Sequence, residues 1–264
     1  MTGVVRVVWR VVEILLLPAL LVGLWWWVSV RNQSFYLPTP GSIVVKFRSV
    51  WFGRRALDDL LPSVVRLLVG YGLAALLGVG LGLLIGASRR LRSVVEPVLE
   101  FFRAIPPPVL VPVLILFAGL TDTMKILVII SGCVWPVLLN TVEGVRSVDP
   151  VLIETARVFH IHGAARLRHL VLRAASPHIM AGLRQALSIA IILMVISEMF
   201  ASSNGLGFAI VQFQRSFDIP EMWAGILVLG LLGVVLSALF RLVERRVLRW
   251  YTGQRAVSRG ADVR

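Results

Sequence analysis

The chain is 264 residues long, 58% of its side chains are hydrophobic and its mean hydropathy is +0.87, an apolar share well above that of a soluble domain. Its 27 basic and 14 acidic residues give a formal charge of +13, but the basic groups lie between long apolar runs. These numbers exclude an ordinary water-soluble domain and argue against a nucleic-acid partner, because the charge follows membrane topology.

Six apolar stretches reach the length that carries a helix across about 30 Å of hydrocarbon. They fall near 13–30, 63–87, 97–119, 123–142, 178–200 and 221–243. A helix satisfies its own backbone in lipid, so the expected fold class is all-α, a polytopic bundle. The first stretch follows Arg6 and Arg10 but ends in Trp25-Trp26-Trp27 without a small-residue cleavage site. It reads as a retained span with an interfacial tryptophan belt rather than a secretory signal. With both termini cytoplasmic, most basic residues fall inside, among them Arg89, Arg90, Arg92, Arg146, Arg157 and the tail "RLVERRVLRW". Against the rule, Arg31, Lys46, Arg48, Arg54, Arg55 and Arg66 fall outside.

After the first span, "YLPTPGS" at 36–42 has the prolines and glycine of a turning connector, and an amphipathic stretch to about 61 reads as a short helix on the outer surface. The second span places Gly78, Gly82 and Gly86 on one face. That spacing suits close helix packing first and gating second. The third opens with "FFRAIPPPVLVPVLILFAG", in which Pro106, Pro107, Pro108 and Pro112 remove backbone donors and must bend or unwind the helix. Irregular backbone at membrane depth is tolerated where it is buried in protein or lines a cavity, so a pathway role and a structural kink are both open. Cys133 lies alone in the fourth span, forms no internal disulfide and leaves the redox compartment undetermined.

Residues 143–177 form the longest cytoplasmic segment. "PVLIETARVF" and "LRHLVLRAA" both carry apolar residues at helical spacing, and "HIHGAA" with Gly163 separates them. A helix, a turn and a second helix projecting from the bundle would make a handle for a partner. Val158, Phe159 and Ile161 around the turn would be the apolar anchors of such an interface, and Glu154 would hold the loop by pairing with Arg157 or a neighbouring arginine.

No catalytic constellation is present. His160, His162, His169 and His178 lack the spacing of a zinc site, and Arg157, Arg166, Arg168 and Arg173 around them would repel a cation. The two lysines, Lys46 and Lys125, do not follow a glycine, so no G-x-x-x-x-G-K-[ST] phosphate loop exists and the chain cannot hydrolyse ATP by that route. No G-x-S-x-G occurs either. Glu100, Lys125, Arg184 and Glu198 sit near span ends, where helix-end anchoring by snorkelling is the simpler reading than function.

Taken together, "YLPTPGS", "RAIPPPVLVP", "VDPVLIETARVFHIHGAARLRHLVLRAASPHI", "SSNGLGF" and "VERRVLRW" resemble the inner-membrane permease subunits of binding-protein-dependent ABC importers of the nitrate, sulfonate and taurine group. The likeness runs over nearly the whole chain and implies one type I importer transmembrane domain over 1–264, in a prokaryotic inner membrane. The cytoplasmic segment is similar to the EAA loop, with Glu154, Ala156 and Pro177 at its acidic, small and distal proline positions. The resemblance therefore implies that Glu154, Ala156, Arg157, Val158, Phe159, His160, Ile161, His162 and Gly163 couple to an ATP-binding subunit, and that Pro106, Pro107, Pro108, Gly78 and Gly82 serve pathway or gate. His160 stands where the family usually has glycine, and Arg173 where it usually has proline. Also implied are ATP and magnesium in the partner rather than in this chain, an extracytoplasmic binding protein, and a second permease copy or homologue. The competing readings are a stand-alone secondary transporter or channel and a membrane scaffold.

Overall fold

The computed structural model describes residues 3–200 and 202–251. Its elements are α1 (Gly3–Asn32), α2 (Pro40–Trp51), a π turn (Ala56–Leu60) running into α3 (Leu61–Ala87), α4 (Arg89–Arg103), and a 3-10 turn (Pro107–Val109) leading into α5 (Leu110–Ala118). They continue with α6 (Asp122–Arg146), α7 (Pro150–Val158), α8 (Gly163–Arg166), a π turn (Leu167–Val171), α9 (Leu172–Phe200), α10 (Leu206–Arg215) and α11 (Ile219–Val247). No strand occurs among the described residues.

Local sequence sets the helix ends. Thr39, Ser88, Thr121 and Asp149 each accept a hydrogen bond from a first-turn amide, at Ser42, Leu91, Met124 and Val151. Pro40 and Pro150 stand where their missing N–H costs nothing. Gly119 ends α5 with φ +65°, the left-handed conformation in which a Cβ is unwelcome.

Four helical runs are long and apolar enough to cross a membrane: Ala56–Ala87, Asp122–Arg146, Gly163–Phe200 and Ile219–Val247. The apolar run expected at 13–30 lies within the 30 residues of α1; the side chains of Arg6 and Arg10 lie outside the described residues. The span expected at 97–119 is not one straight helix. It divides into α4 and the segment 107–118, bent by 70°, because Pro106, Pro107 and Pro108 supply no amide to the carbonyls four residues earlier. The span expected at 178–200 starts earlier, at Gly163. The second arm of the cytoplasmic segment is thus the foot of a spanning helix rather than an independent projection.

The core is a layer of α3, α6 and α9 with α6 in the middle. Leu67, Met124, Val128, Ile129, Cys133, Val137, Ala190 and Met194 are fully or almost fully buried there. Glycine allows the approach: a Cβ on Gly78 would stand 2.7 Å from Val137 Cβ, and one on Gly82 would stand 2.6 Å from Thr141 Cβ and 2.9 Å from the Leu138 carbonyl. By contrast Leu16, Leu17, Leu20 and Leu21 of α1 and Val234, Val235 and Leu239 of α11 are exposed, which suits hydrocarbon.

Four of the six unexpected outer charges are engaged. Lys46 Nζ lies 2.6 Å from Glu221, whose hydrogen bond and charge hold the ammonium above its usual pKa. Arg31 lies over the Trp27 ring, Arg55 pairs with Asp59 and covers Phe213, and Arg66 is buried with two carboxylates.

Gly82→Ala should lower the melting temperature of the purified protein, by the equivalent of about 1–3 kcal/mol for forcing atoms into a packed contact. Gly80→Ala, where a Cβ meets nothing within 4 Å, should leave it unchanged. Equal melting temperatures for the two variants would contradict the α3–α6 geometry.

Candidate functional site

Three places gather the polar chemistry of the chain. The first is the loop after α6. Asp149 caps α7, Thr155 Oγ1 donates to the Val151 carbonyl at 2.8 Å, and Arg157 pairs with Glu154 at 2.8 Å on the surface. Ala156 is the one α7 residue that is buried. The helix stops in two hydrogen bonds, Ile161 N–H to the Ala156 carbonyl (2.8 Å) and His160 N–H to the Arg157 carbonyl (3.0 Å). These are the pair that closes a Schellman turn. Its left-handed position is held by His160, with φ +53°, so histidine takes the conformation usually given to glycine; polar residues tolerate it better than branched ones. Gly163, at φ +57°, makes the second reversal and starts the next helix. His160 and His162 stack at 6.0 Å. Between the two reversals the loop exposes Val158 (73%) and Phe159 (71%), with Ile161 beside them at 40%. That is an apolar knob ringed by Arg157, His160 and His162.

The second place is a cavity of about 730 Å³ at the break between α4 and α5. Pro107 and Pro108 line it together with Gly132, Trp135, Pro136 and Asn140 of α6 and Gln185, Ile189 and Leu193 of α9. Pro106 is exposed and lies off it. Gly132 brings these pieces together: a Cβ there would stand 2.4 Å from Leu193 Cδ1 and 2.9 Å from Pro107 Cγ. Gly78 and Gly82 do not line this cavity; they sit at the α3–α6 contact.

The third was not legible beforehand. Glu198 is fully buried and Arg66 is 3% exposed. Glu198 accepts hydrogen bonds from Arg66 Nη1 (2.8 Å), Ser63 Oγ (2.7 Å) and the Gly207 amide (3.0 Å). Arg66 also donates to Asp122 (2.9 Å) and to the Asn204 side chain (2.6 Å). Asp59 and Ser63 accept from the Gly205 and Leu206 amides. Three carboxylates, a guanidinium and Lys125, itself 3% exposed and 3.2 Å from Asp122, thereby tie the ends of α3, α6 and α9 to the start of α10. Snorkelling does not describe Glu198 or Lys125, because neither reaches the surface. The pairing of Arg66 with Glu198 leaves no local sequence signal because the two are 132 positions apart.

A bundle of long apolar helices with a proline-broken element beside an open cavity and an apolar knob at one end defines a multi-pass membrane protein. Comparison with known proteins makes this specific. Residues 78–249 match the family model described as "Binding-protein-dependent transport system inner membrane component". The chain is 33% identical over 238 residues, 89% of its length and 86% of the relative's, to a putative aliphatic sulfonates transport permease protein of Bacillus subtilis. It is 28% identical to the taurine transport system permease protein of Escherichia coli, over 88% of this chain and 87% of that one. It is likewise 28% identical to a bicarbonate transport system permease protein of Synechococcus elongatus, over 85% of each. The chain belongs to the family of binding-protein-dependent ABC importer permeases. It is a transporter component rather than an enzyme, with the type I importer transmembrane domain, and the stand-alone transporter reading is not favoured.

Breaking the buried pair gives a sharp test. Arg66→Met should strip Glu198 of its counter-charge and cost about 3–5 kcal/mol, read as loss of folded protein from the membrane. Arg66→Met with Glu198→Met should recover much of it. No recovery in the double variant would mean that the contacts of Arg66 to Asp122 and Asn204 dominate.

Proposed function

We propose that the knob at Val158, Phe159 and Ile161 docks into an ATP-binding subunit that carries ATP and magnesium, with Glu154, Ala156, Arg157, His160, His162 and Gly163 shaping and bordering the contact. The observation that carries this reading is the exposure of large apolar side chains on a turn held by two backbone hydrogen bonds. A solvated loop has no reason to display them, and a preformed turn loses little entropy on docking. The chain itself has no phosphate loop, so the energy must come from another polypeptide. Both termini would then be cytoplasmic, with the knob on the same side. Of the basic residues that this orientation places outside, Lys46, Arg55 and Arg66 pair with carboxylates.

The cargo is a small anionic solute, as the sulfonate and bicarbonate names of the relatives suggest, handed over by a binding protein at the opposite face. The pathway runs past Pro107 and Pro108, between this chain and a second permease copy or homologue, with membrane lipid around the pair. Closure of the ATP-binding partners pulls on the knob, and the bundle opens alternately to each side. Pro106 shapes the bend from outside the cavity. Gly78 and Gly82 serve by letting α3 and α6 move as one body.

Phe159→Asp should abolish copurification of the ATP-binding subunit. A loop that only anchors to anionic lipid would lose little from one change among its arginines, so a variant that still copurifies and still transports normally would sink the docking assignment.

Orientation is tested separately by cysteine labelling, against a low background because Cys133 is buried. Leu120→Cys should react with an impermeant maleimide from outside in intact cells, and Ala164→Cys only after the membrane is opened. Labelling of position 164 from outside would invert the topology.

A further inference from the structure

The cavity at the helix break has two charged residues in its lining, Glu100 and Arg103. They pair with each other: Arg103 Nε donates to Glu100 Oε2 at 2.8 Å, and Arg103 Nη2 lies 2.6 Å from the same oxygen. Both are half-exposed, at 46% and 53%. The pair occupies the last turn of α4, where the carbonyl end of a helix favours a cation. Beyond it Pro107 and Pro108 offer no N–H to the carbonyls of Arg103 and Ala104. Opposite stand Asn140 and Gln185, neutral amides, of which Asn140 already donates to the Pro136 carbonyl at 2.8 Å. Among the described residues Arg103 is therefore the one cation that lines the cavity. A half-exposed pair three residues apart on a single helix is weak and easily exchanged.

We propose that Arg103 is a transit site for the anionic solute, and that Glu100 is the intramolecular counter-ion which the solute displaces on entry and which expels it again. The anion takes the guanidinium and the Glu100 carboxylate swings into water. As the cleft reopens, Glu100 returns and the solute leaves. Such competition keeps binding weak enough for release, which a conducting site requires. A planar guanidinium suits sulfonate and bicarbonate oxygens alike through paired N–H donors. This inference rests on the small-anion reading above.

The test uses the whole complex, permease with its ATP-binding subunit and binding protein, reconstituted in vesicles and supplied with labelled ethanesulfonate, taurine or bicarbonate. Arg103→Gln should cut uptake about tenfold or more, the scale of losing one charge-assisted contact, while binding-protein-stimulated ATP hydrolysis continues; Arg103→Lys should restore part of it. Glu100→Gln should keep uptake at low solute concentration near the wild-type rate but saturate at a lower maximum, because release is slowed. Arg92→Gln removes a charge from the same helix outside the cavity and should be silent. Equal loss in Arg103→Gln and Glu100→Gln at low solute would reduce the pair to a structural clip, and a similar loss in Arg92→Gln would reduce it to general charge; either overturns the proposal. If the wild-type complex takes up none of the three probes, the small-anion reading falls and the transit site with it. If it takes one up and Arg103→Gln does too at the normal rate, the transit site alone falls.

Discussion

In hydrocarbon no water stands by to pair with a bare N–H or C=O, so every backbone group must be satisfied inside the protein or at its wet edges. That constraint makes the chain helical, and it also determines where the chain can depart from a helix. Among the described residues three departures concern the polar sites. The α4–α5 break opens into a cavity shared with α6 and α9. The His160 turn lies at one end of the bundle, with its carbonyls closed by Ile161 and His160 amides. The 202–205 segment runs into α10, and the amides of Gly205, Leu206 and Gly207 donate to Asp59, Ser63 and Glu198. The last of these is paid for by side chains from other helices.

The same constraint accounts for the buried charges. A carboxylate as enclosed as Glu198 is tolerated because a guanidinium, a hydroxyl and an amide all point at it. Replacing such an arrangement by apolar residues often costs nothing in stability, so its value lies in specifying one arrangement. The start of α10 can dock against α3 and α9 in a single register only, because Gly205, Leu206 and Gly207 each need their own acceptor.

What could be read in advance follows from the range of the interaction concerned. Span positions are local properties of apolar runs, and four came out as helical runs long and apolar enough to cross a membrane. The consequence of Pro106–Pro108 was legible as a break but not as a 70° bend, because the angle depends on Gly132 admitting Pro107 and Leu193. The knob was legible as Val158, Phe159 and Ile161 from their spacing. Gly163 was favoured as the breaker because composition points to glycine, and the structure uses His160 as well, since a Schellman turn is defined by backbone bonds and not by residue type. The Arg66–Glu198 pair joins helices far apart in sequence, and nothing near either residue announces the other.

One helix connects all three polar places. The run from Gly163 to Phe200 is 38 residues, about 57 Å at 1.5 Å per residue. Its foot begins at the second reversal of the proposed docking loop, its middle presents Gln185, Ile189 and Leu193 to the cavity, and its far end carries Glu198. A rod of that length cannot shift at its foot without moving the cavity wall or straining the clamp at its tip. The clamp is the stiffer of the two, being buried and bonded on several sides, whereas the wall faces open space. On the proposed docking, a pull at the knob would be expressed chiefly as tilt about the Glu198 end, changing the gap between Gln185 and the Arg103 turn. The π turn at Leu167–Val171 lies between knob and wall, where a weaker hydrogen-bond pattern can absorb part of the displacement. On the proposed docking, the cavity rather than the outer end would be the place where movement of an energised partner is felt.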